Sequence, residues 1–199
     1  MSSQPLLCLA SSSPRRREIL RALGLDFAVE PVDIDESRLA GETPRQMVLR
    51  LASSKACAAG VASWRYTIGA DTAVILEDTV LGKPQHRDDA VAMLLALSGR
   101  CHTVLTGVGL RGPNGTQTAL SATEVWFREI CRDEAVAYWH SGEPRDKAGA
   151  YGIQGLGGMF VKAIKGSYSG VVGLPVFETT CMLRKVGIDV LPEPTKHDG

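Results

Sequence analysis

The sequence lacks the features that would indicate a disulfide scaffold, a zinc site or a nucleic-acid-binding surface. Its five cysteines are spread singly, at Cys8, Cys57, Cys101, Cys131 and Cys181. Their odd number and the lack of a C-x-x-C pair argue against a disulfide framework and against a zinc site. Acidic and basic residues balance at 22 each, so no overall positive charge would recruit nucleic acid or an anionic membrane. A polyanionic ligand would need a local basic cluster.

Long apolar runs and catalytic histidine patterns are also missing. The apolar stretch at residues 6–10 is too short for a membrane span or a signal peptide, and the arginines at 15–17 follow it. With the scattered cysteines, this favours a cytoplasmic protein with no membrane partner. The four histidines have no metal-ligand spacing and no serine lies in a nucleophile elbow, so protease and esterase functions lose support.

Hydrophobic residues make up 44% of the 199 residues, which is enough for a substantial core. Residues 6–10 are typical of a buried strand, and Ser13 and Pro14 then begin a helix that should end at Gly24. No repeat or linker divides the sequence. We therefore expect one mixed α/β domain over residues 1–199, with a flexible tail at 191–199.

Further elements follow from caps, turns and periodicity. Thr43 and Gln46 form a capping box that begins a second helix. Predicted strands or extended segments are residues 27–35, 66–76 (interrupted at 69–72), 101–127 (a hairpin around 113–115), 159–164 and 171–174. Further helices are predicted at 88–98, 133–141 and 175–185. Residues 143–158 are glycine-rich and show no period.

An anion-binding site is one interpretation of the motif S-S-S-P-R-R at residues 11–16. Hydroxyl groups at a strand end would meet the amides of a helix N-terminus, and Arg15 and Arg16 could bind phosphate in a bidentate manner. The local sequence also fits an ordinary helix cap with solvated arginines.

Two lysines and an aspartate stand in unusual settings. Lys55 lies four residues after Leu51 on the apolar side of the second helix, where it needs an anionic partner unless its side chain extends to solvent. Asp71 lies in an apolar strand, where an unpaired carboxylate is costly, so it should face a cation, a ligand or a bend, unless it simply caps the end of the strand. Lys83, in G-K-P, could equally lie in an exposed turn.

Three further patterns are weaker. Asp33, Asp35 and Glu36 could hold a divalent cation, although an acidic loop is more often solvated. Residues 107–112 match G-x-G-x-x-G but precede a turn rather than a helix, so we assign these glycines to a hairpin. Lys83 does not belong to a P-loop because Pro84 replaces the serine or threonine.

Taken together, the motifs resemble those of the Maf family in order and spacing over nearly the whole chain. They are L-A-S-S-S-P-R-R at 9–16, D-E at 35–36, K-A at 55–56, G-A-D-T at 69–72, G-K-P at 82–84 and A-G-A-Y-G-I-Q-G at 148–155. The resemblance implies an elongated α/β fold, a mixed sheet flanked by helices, with a deep nucleotide-binding cleft between two lobes. It also implies a homodimer.

The resemblance further implies a nucleoside triphosphate pyrophosphatase that depends on Mg²⁺ or Mn²⁺. Ser11, Arg15, Arg16, Lys55 and Lys83 would then surround the triphosphate. Glu36 and Asp71 would handle the metal and the attacking water, with Asp71 as the catalytic base or chiefly a metal ligand.

Specificity is implied by the branch of the family that this chain resembles. Arg15, Thr72 and Gln154 match the branch associated with dTTP and UTP, so these nucleotides, and modified uridine triphosphates, are the expected substrates. One alternative is hydrolysis of purine or damaged triphosphates. Another is a nucleotide-binding regulator of septum formation without significant hydrolysis, which would release no pyrophosphate from dTTP.

Overall fold

Seven strands form one mixed sheet in the computed structural model, which describes residues 6–60 and 64–191. The strands are β1 (Leu7–Leu9), β2 (Ala28–Val29), β3 (Tyr66–Leu76), β4 (Thr79–Leu81), β5 (Cys101–Gly112), β6 (Gly115–Phe127) and β7 (Val161–Lys165). Their order is β2-β1-β3-β5-β6-β7, and β4 pairs with β3. Strand β1 is parallel to β2 and β3, and the other pairings are antiparallel.

Helices pack against this sheet, which confirms the predicted α/β class. They are α1 (Pro14–Ala22), α2 (Pro44–Ala58), α3 (Arg87–Leu97), α4 (Arg132–His140), α5 (Tyr168–Val172) and α6 (Val176–Lys185). Short 3-10 turns cover Glu143–Asp146, Ala148–Ala150 and Leu156–Phe160. None of the helices in the described ranges is long and apolar enough to cross a membrane. The two lobes stay a prediction, and of the expected tail, residues 192–199 lie outside the described residues.

Local sequence signals explain where the first two helices begin and end. Helix α1 starts with Pro14 after Ser13, and Gly24 follows it with φ +71°, a left-handed conformation that glycine adopts without strain. At the start of α2 the predicted capping box is present, since Thr43 Oγ1 accepts from the Gln46 amide at 3.3 Å and Gln46 Oε1 accepts from the Thr43 amide at 2.9 Å.

Glycines in the two central strands let α2 lie unusually close to the sheet. A Cβ atom at Gly69 would lie 2.3 Å from the carbonyl oxygen of Ala52, and one at Gly107 would lie 2.3 Å from that of Val48. Strand β3 is continuous through residues 69–72, so the interruption predicted there is absent. Gly107 lies in the middle of β5, the first strand of the β5–β6 hairpin, which confirms its assignment to a hairpin.

One predicted strand is absent. Residues 171–174 do not form a strand, because the side chain of Ser167 accepts from the Gly170 amide at 3.0 Å and caps the short helix α5. Within residues 27–35 only Ala28–Val29 pairs with a neighbouring strand, β1. The hairpin around residues 113–115 is confirmed, because β5 and β6 pair up to Gly112 and Gly115.

One edge of β3 has a gap between its neighbours. On that edge β1 pairs with residues 66–68 and β4 pairs with residues 74–76, whereas β5 runs along the opposite edge from Thr67 to Ile75. Among the described strands, none pairs with residues 69–73 on the gapped edge. Because successive side chains alternate between faces, Asp71 lies on the face covered by α2 and Thr72 on the other. Asp71 and Thr72 therefore reach the same opening in the sheet from its opposite faces.

Candidate active site

A cavity of about 670 Å³ opens at this gap. The nine residues that the family resemblance assigned to the site all line it: Ser11, Arg15, Arg16, Glu36, Lys55, Asp71, Thr72, Lys83 and Gln154. Their sequence positions span more than half the chain, so only the fold brings them together.

Lys55 joins two carboxylates on the α2 side of the cavity. Its ammonium nitrogen lies 2.7 Å from Asp71 Oδ1 and 2.6 Å from Glu36 Oε1. The Lys55 residue is 9% exposed and Asp71 8%, whereas half of the Glu36 side chain is exposed. The sequence predicted an anionic partner for Lys55. The structure confirms this prediction, with Asp71 as one partner and Glu36 as a second.

The two carboxyl groups have opposite pKa shifts. Burial raises the pKa of Asp71 above the ordinary value of 3.8, although the charge of Lys55 and its hydrogen bond oppose this shift. For Glu36, partial burial is outweighed by the hydrogen bond and charge of Lys55, with help from Lys83 and Arg16, so its pKa lies below 4.5. Glu36 is the better permanent anion, and Asp71 is the better proton acceptor.

Arg16 is fixed at the centre of the cavity by three contacts from separate elements. Its Nε donates to the carbonyl of Gly173 at 2.8 Å, and its terminal nitrogens donate to Ser11 Oγ and to Thr72 Oγ1, each at 3.3 Å. Burial lowers the pKa of Arg16, while the charge of Asp71 opposes that effect. A guanidinium held in this way is a rigid donor for an anionic ligand.

Arg15, Lys83 and Gln154 line the outer part of the cavity. Arg15 Nη1 lies 3.4 Å from Asp146 Oδ2, and about a quarter of the Arg15 side chain is exposed. Lys83 and Gln154 are exposed at the rim. These three side chains therefore remain accessible to a ligand.

The loop that bears Gln154 is held by one partly buried polar network. Glu143 accepts from the amides of Leu156 at 2.8 Å and Gly157 at 3.0 Å, and from the hydroxyl of Tyr138 at 2.6 Å. The Tyr138 oxygen in turn accepts from the Gly152 amide at 3.2 Å. Carboxylate bonds to several amides favour the charged form, and the pKa of Glu143 lies below its ordinary value despite partial burial.

The sequence did not single out Arg38, Gln85 and Lys147, whose polar side chains also line the cavity. Each lies within three residues of a motif that was recognised, which is the only signal that could have found them. Asp33 and Asp35 do not line the cavity, and Asp35 Oδ1 instead accepts from the Ser37 amide at 2.8 Å. Of the three acidic residues in this loop, only Glu36 lines the cavity.

The fold and the cavity together define an α/β protein with a carboxylate–lysine cluster and several further cations at one opening. The comparisons give the family: residues 6–186 match the profile of the Maf family, described as Maf-like protein. The chain belongs to this family, which confirms the resemblance in the motifs.

The chain is also similar to curated proteins named dTTP/UTP pyrophosphatase. One, from Saccharophagus degradans, is 53% identical over 89% of this chain and 87% of its own length. Another, from Vibrio cholerae, is 50% identical over 90% of this chain and 97% of its own. Among solved structures, the Staphylococcus aureus Ham1 protein aligns with a TM-score of 0.45 and 16% identity over 61% of this chain and 71% of that one. A likeness of that extent supports no conclusion.

Proposed function

We propose that this chain hydrolyses dTTP and UTP to the nucleoside monophosphate and pyrophosphate. The proposal rests on one observation above all, the meeting of the Asp71–Lys55–Glu36 cluster with Arg15, Arg16 and Lys83 in a single cavity. The names of the relatives at about half identity point to the same reaction. Modified uridine triphosphates are included as substrates.

Binding of the triphosphate is assigned to the cations and hydroxyls of the cavity. A triphosphate repels an incoming nucleophile, so its charge must be offset before water can approach the α-phosphorus. Arg15, Arg16, Lys55 and Lys83 would supply positive charge, and Ser11 a hydroxyl group at the end of β1. Arg16 would need little reorganisation, because protein contacts already fix its guanidinium.

Glu36 and Asp71 fit a site for Mg²⁺ or Mn²⁺. Magnesium is usually held by one or two carboxylates together with water and substrate phosphates. Within residues 6–60 and 64–191, no three acidic, histidine or cysteine side chains form a metal site by themselves, so phosphate and water would complete the coordination. Bound there, the cation would supply charge stabilisation for the phosphates. The Lys55 ammonium between the two carboxylates supports this assignment, because it places a positive charge at the same position.

Asp71 is the proposed catalytic base. Its raised pKa makes its carboxylate a better proton acceptor than an ordinary aspartate, and it lies at the cavity wall beside Lys55. It would orient the water and accept its proton as the new bond to the α-phosphorus forms. The bond from that phosphorus to the bridging oxygen breaks, and pyrophosphate leaves with the bonding electrons. Asp71 could combine this role with metal binding.

Base recognition is assigned to Arg15, Thr72 and Gln154. Thr72 lies on the face of β3 opposite Asp71, and the 3-10 turn Ala148–Ala150 packs on that face, since a Cβ at Gly149 would lie 2.9 Å from Val74. The Gln154 loop follows that turn directly. A nucleotide laid across the gap would therefore have its phosphates on the α2 side and its base on the other.

A homodimer and a cytoplasmic location belong to the same proposal. All five cysteines are free, and three of them are exposed, which suits a reducing compartment. Sedimentation equilibrium of the purified chain would measure its mass in solution, with twice the 21.3 kDa chain mass expected.

A nucleotide panel with Mg²⁺ tests the function. Pyrophosphate release should be fastest, as kcat/KM, for dTTP and UTP, and slower for CTP, GTP and ATP. Faster release from purine or damaged triphosphates would reassign the substrate. Binding of dTTP without any pyrophosphate release would instead favour the regulatory alternative.

A further inference from the structure

A chain of hydroxyl groups runs behind the cavity from Arg16 to helix α5. Thr72 and Thr106 are directly opposite each other in the β3–β5 register, and their hydroxyl oxygens lie 3.0 Å apart. Thr106 Oγ1 also lies 2.8 Å from the carbonyl oxygen of Gly170, in the middle of α5. Thr106 is 1% exposed, whereas Thr72 is only half-buried and lines the cavity.

Counting protons fixes the direction of each bond in this chain. A carbonyl oxygen can only accept, so Thr106 must donate its single hydroxyl proton to Gly170. The Thr106 oxygen can then only accept from Thr72, which uses the single proton of the Thr72 hydroxyl. The Arg16 guanidinium can only donate, so it occupies one acceptor position on the same Thr72 oxygen.

We propose that Thr106 is a specificity-determining positioning residue, which makes Thr72 a hydrogen-bond acceptor towards the bound base. This inference rests on the proposed function. The Thr72 hydroxyl donates its proton to Thr106, and one of its lone pairs accepts a hydrogen bond from Arg16. Only its second lone pair is therefore available to a ligand. Thr106 does not line the cavity, so it acts through Thr72 and not by contact with the nucleotide.

An acceptor at this position distinguishes uracil and thymine from cytosine. The first two bases carry a hydrogen on N3 and can donate it, whereas N3 of cytosine is itself an acceptor and would face the Thr72 lone pair. A buried polar group without a partner weakens binding, so the fixed direction of the hydroxyl chain selects against cytosine. Without Thr106, the Thr72 hydroxyl could turn its proton towards either base.

Binding of the non-hydrolysable analogues α,β-imido-UTP and α,β-imido-CTP, measured by calorimetry with Mg²⁺, tests this inference. The preference of the parent protein for the uracil analogue should fall by about five- to tenfold in Thr106→Val, which keeps the shape of the side chain. Thr106→Ser keeps the hydroxyl and should keep the preference. This contrast distinguishes the hydroxyl chain from a merely structural role of Thr106, whose loss would weaken the binding of both analogues equally.

Equal preference in Thr106→Val and the parent protein would overturn the inference, as would a parent protein that binds the two analogues equally. If Thr106→Val does not fold, Thr72→Val tests the inference instead. Loss of the acceptor should weaken the binding of the uracil analogue and leave the binding of the cytosine analogue unchanged. An unchanged ratio in Thr72→Val would then refute the inference. Pyrophosphate release from UTP by the parent protein is measured separately, so a failure of the proposed function is distinguished from a failure of this inference.

Discussion

At the residue scale, Asp71 lies in surroundings that are unusual for a carboxylate. It lies in a strand whose other residues are largely apolar and buried, and its charge is offset by one hydrogen-bonded ammonium group. Burial still raises its pKa, so its protonated form persists to a higher pH than that of an exposed aspartate. This setting is costly for stability and useful for proton transfer.

Asp71→Asn should lower kcat by about a hundredfold or more while leaving the fold intact, because the amide cannot accept a proton from water. The kcat/KM profile of the parent protein should fall on the acid side at a pH above 3.8, since its pKa is raised, and the variant should lose this limb. Asp78→Asn, in the exposed turn after β3, is the matched control. Retention of near-parental kcat in Asp71→Asn would refute the assignment.

Glu36→Gln should raise the Mg²⁺ or Mn²⁺ concentration needed for half-maximal activity by about tenfold or more, because the carboxylate loses its charge. Thermal unfolding should change little, since half of the side chain is exposed. Glu18→Gln, on the exposed side of α1, should leave the metal titration unchanged. An unchanged titration in Glu36→Gln would mean that this acid is simply solvated.

Gln154→Glu should lower kcat/KM for dTTP and UTP by roughly five- to a hundredfold, because the amide donor is lost and polar groups of the base are left unpaired. The new carboxylate accepts from the amino group of cytosine, so the relative activity towards CTP should rise. Gln117→Glu, exposed on β6, serves as the control. A common decline for all pyrimidine nucleotides would assign Gln154 to the loop or the phosphates.

At the element scale, the distance between α2 and the sheet determines whether Lys55 reaches Asp71. Gly69 and Gly109 have no side chain, so α2 approaches β3 and β5 through its backbone at Ala52. Lys55 is three residues further along the helix, almost one turn, and its ammonium group then meets the carboxylate of β3. The glycines therefore contribute to the site without contacting a ligand.

Gly107→Ala should destabilise the protein by about 3 kcal/mol or more, since the new methyl group would overlap a helix backbone that cannot rotate away. The Cβ atom would lie 2.3 Å from the Val48 carbonyl oxygen. Gly82→Ala is the control, because its Cβ would meet nothing within 4 Å. Urea unfolding of both variants measures the difference. Equal stability of the two would show that α2 can move away from the sheet.

At the scale of the whole molecule, a nucleotide bound in the cavity would contact elements that are far apart in sequence, so its binding should stabilise the fold. With Mg²⁺ and α,β-imido-UTP at a hundred times its Kd, the expected gain is about 2.7 kcal/mol, or roughly 5–10 °C in Tm for a protein of this size. Differential scanning calorimetry would measure it.

Arg16→Gln should show a smaller rise in Tm at the same nucleotide concentration, because Arg16 touches three other elements of the cavity wall. Arg132→Gln, exposed at the start of α4, should match the parent protein. Absence of any rise in the parent protein at saturating nucleotide would contradict binding in this cavity.

Local elements were predictable because their signals lie within a few residues. The capping box of Thr43 and Gln46, the left-handed Gly24 and the hairpin around residues 113–115 each depend on contacts between near neighbours. The error at residues 171–174 has the same origin. Their apolar character fits a strand or a buried helix, and the cap at Ser167 lies outside the run.

The sequence by itself determined the α/β class, the family and the identity of nine candidate site residues, because the motifs keep their order and spacing along the chain. The tertiary structure alone decided which two carboxylates contact Lys55, that Asp33 and Asp35 lie outside the cavity, and that Thr106 lies behind Thr72. These facts depend on strand register and on the approach of α2 to the sheet. Both are set by packing between segments distant in sequence, which no local pattern encodes.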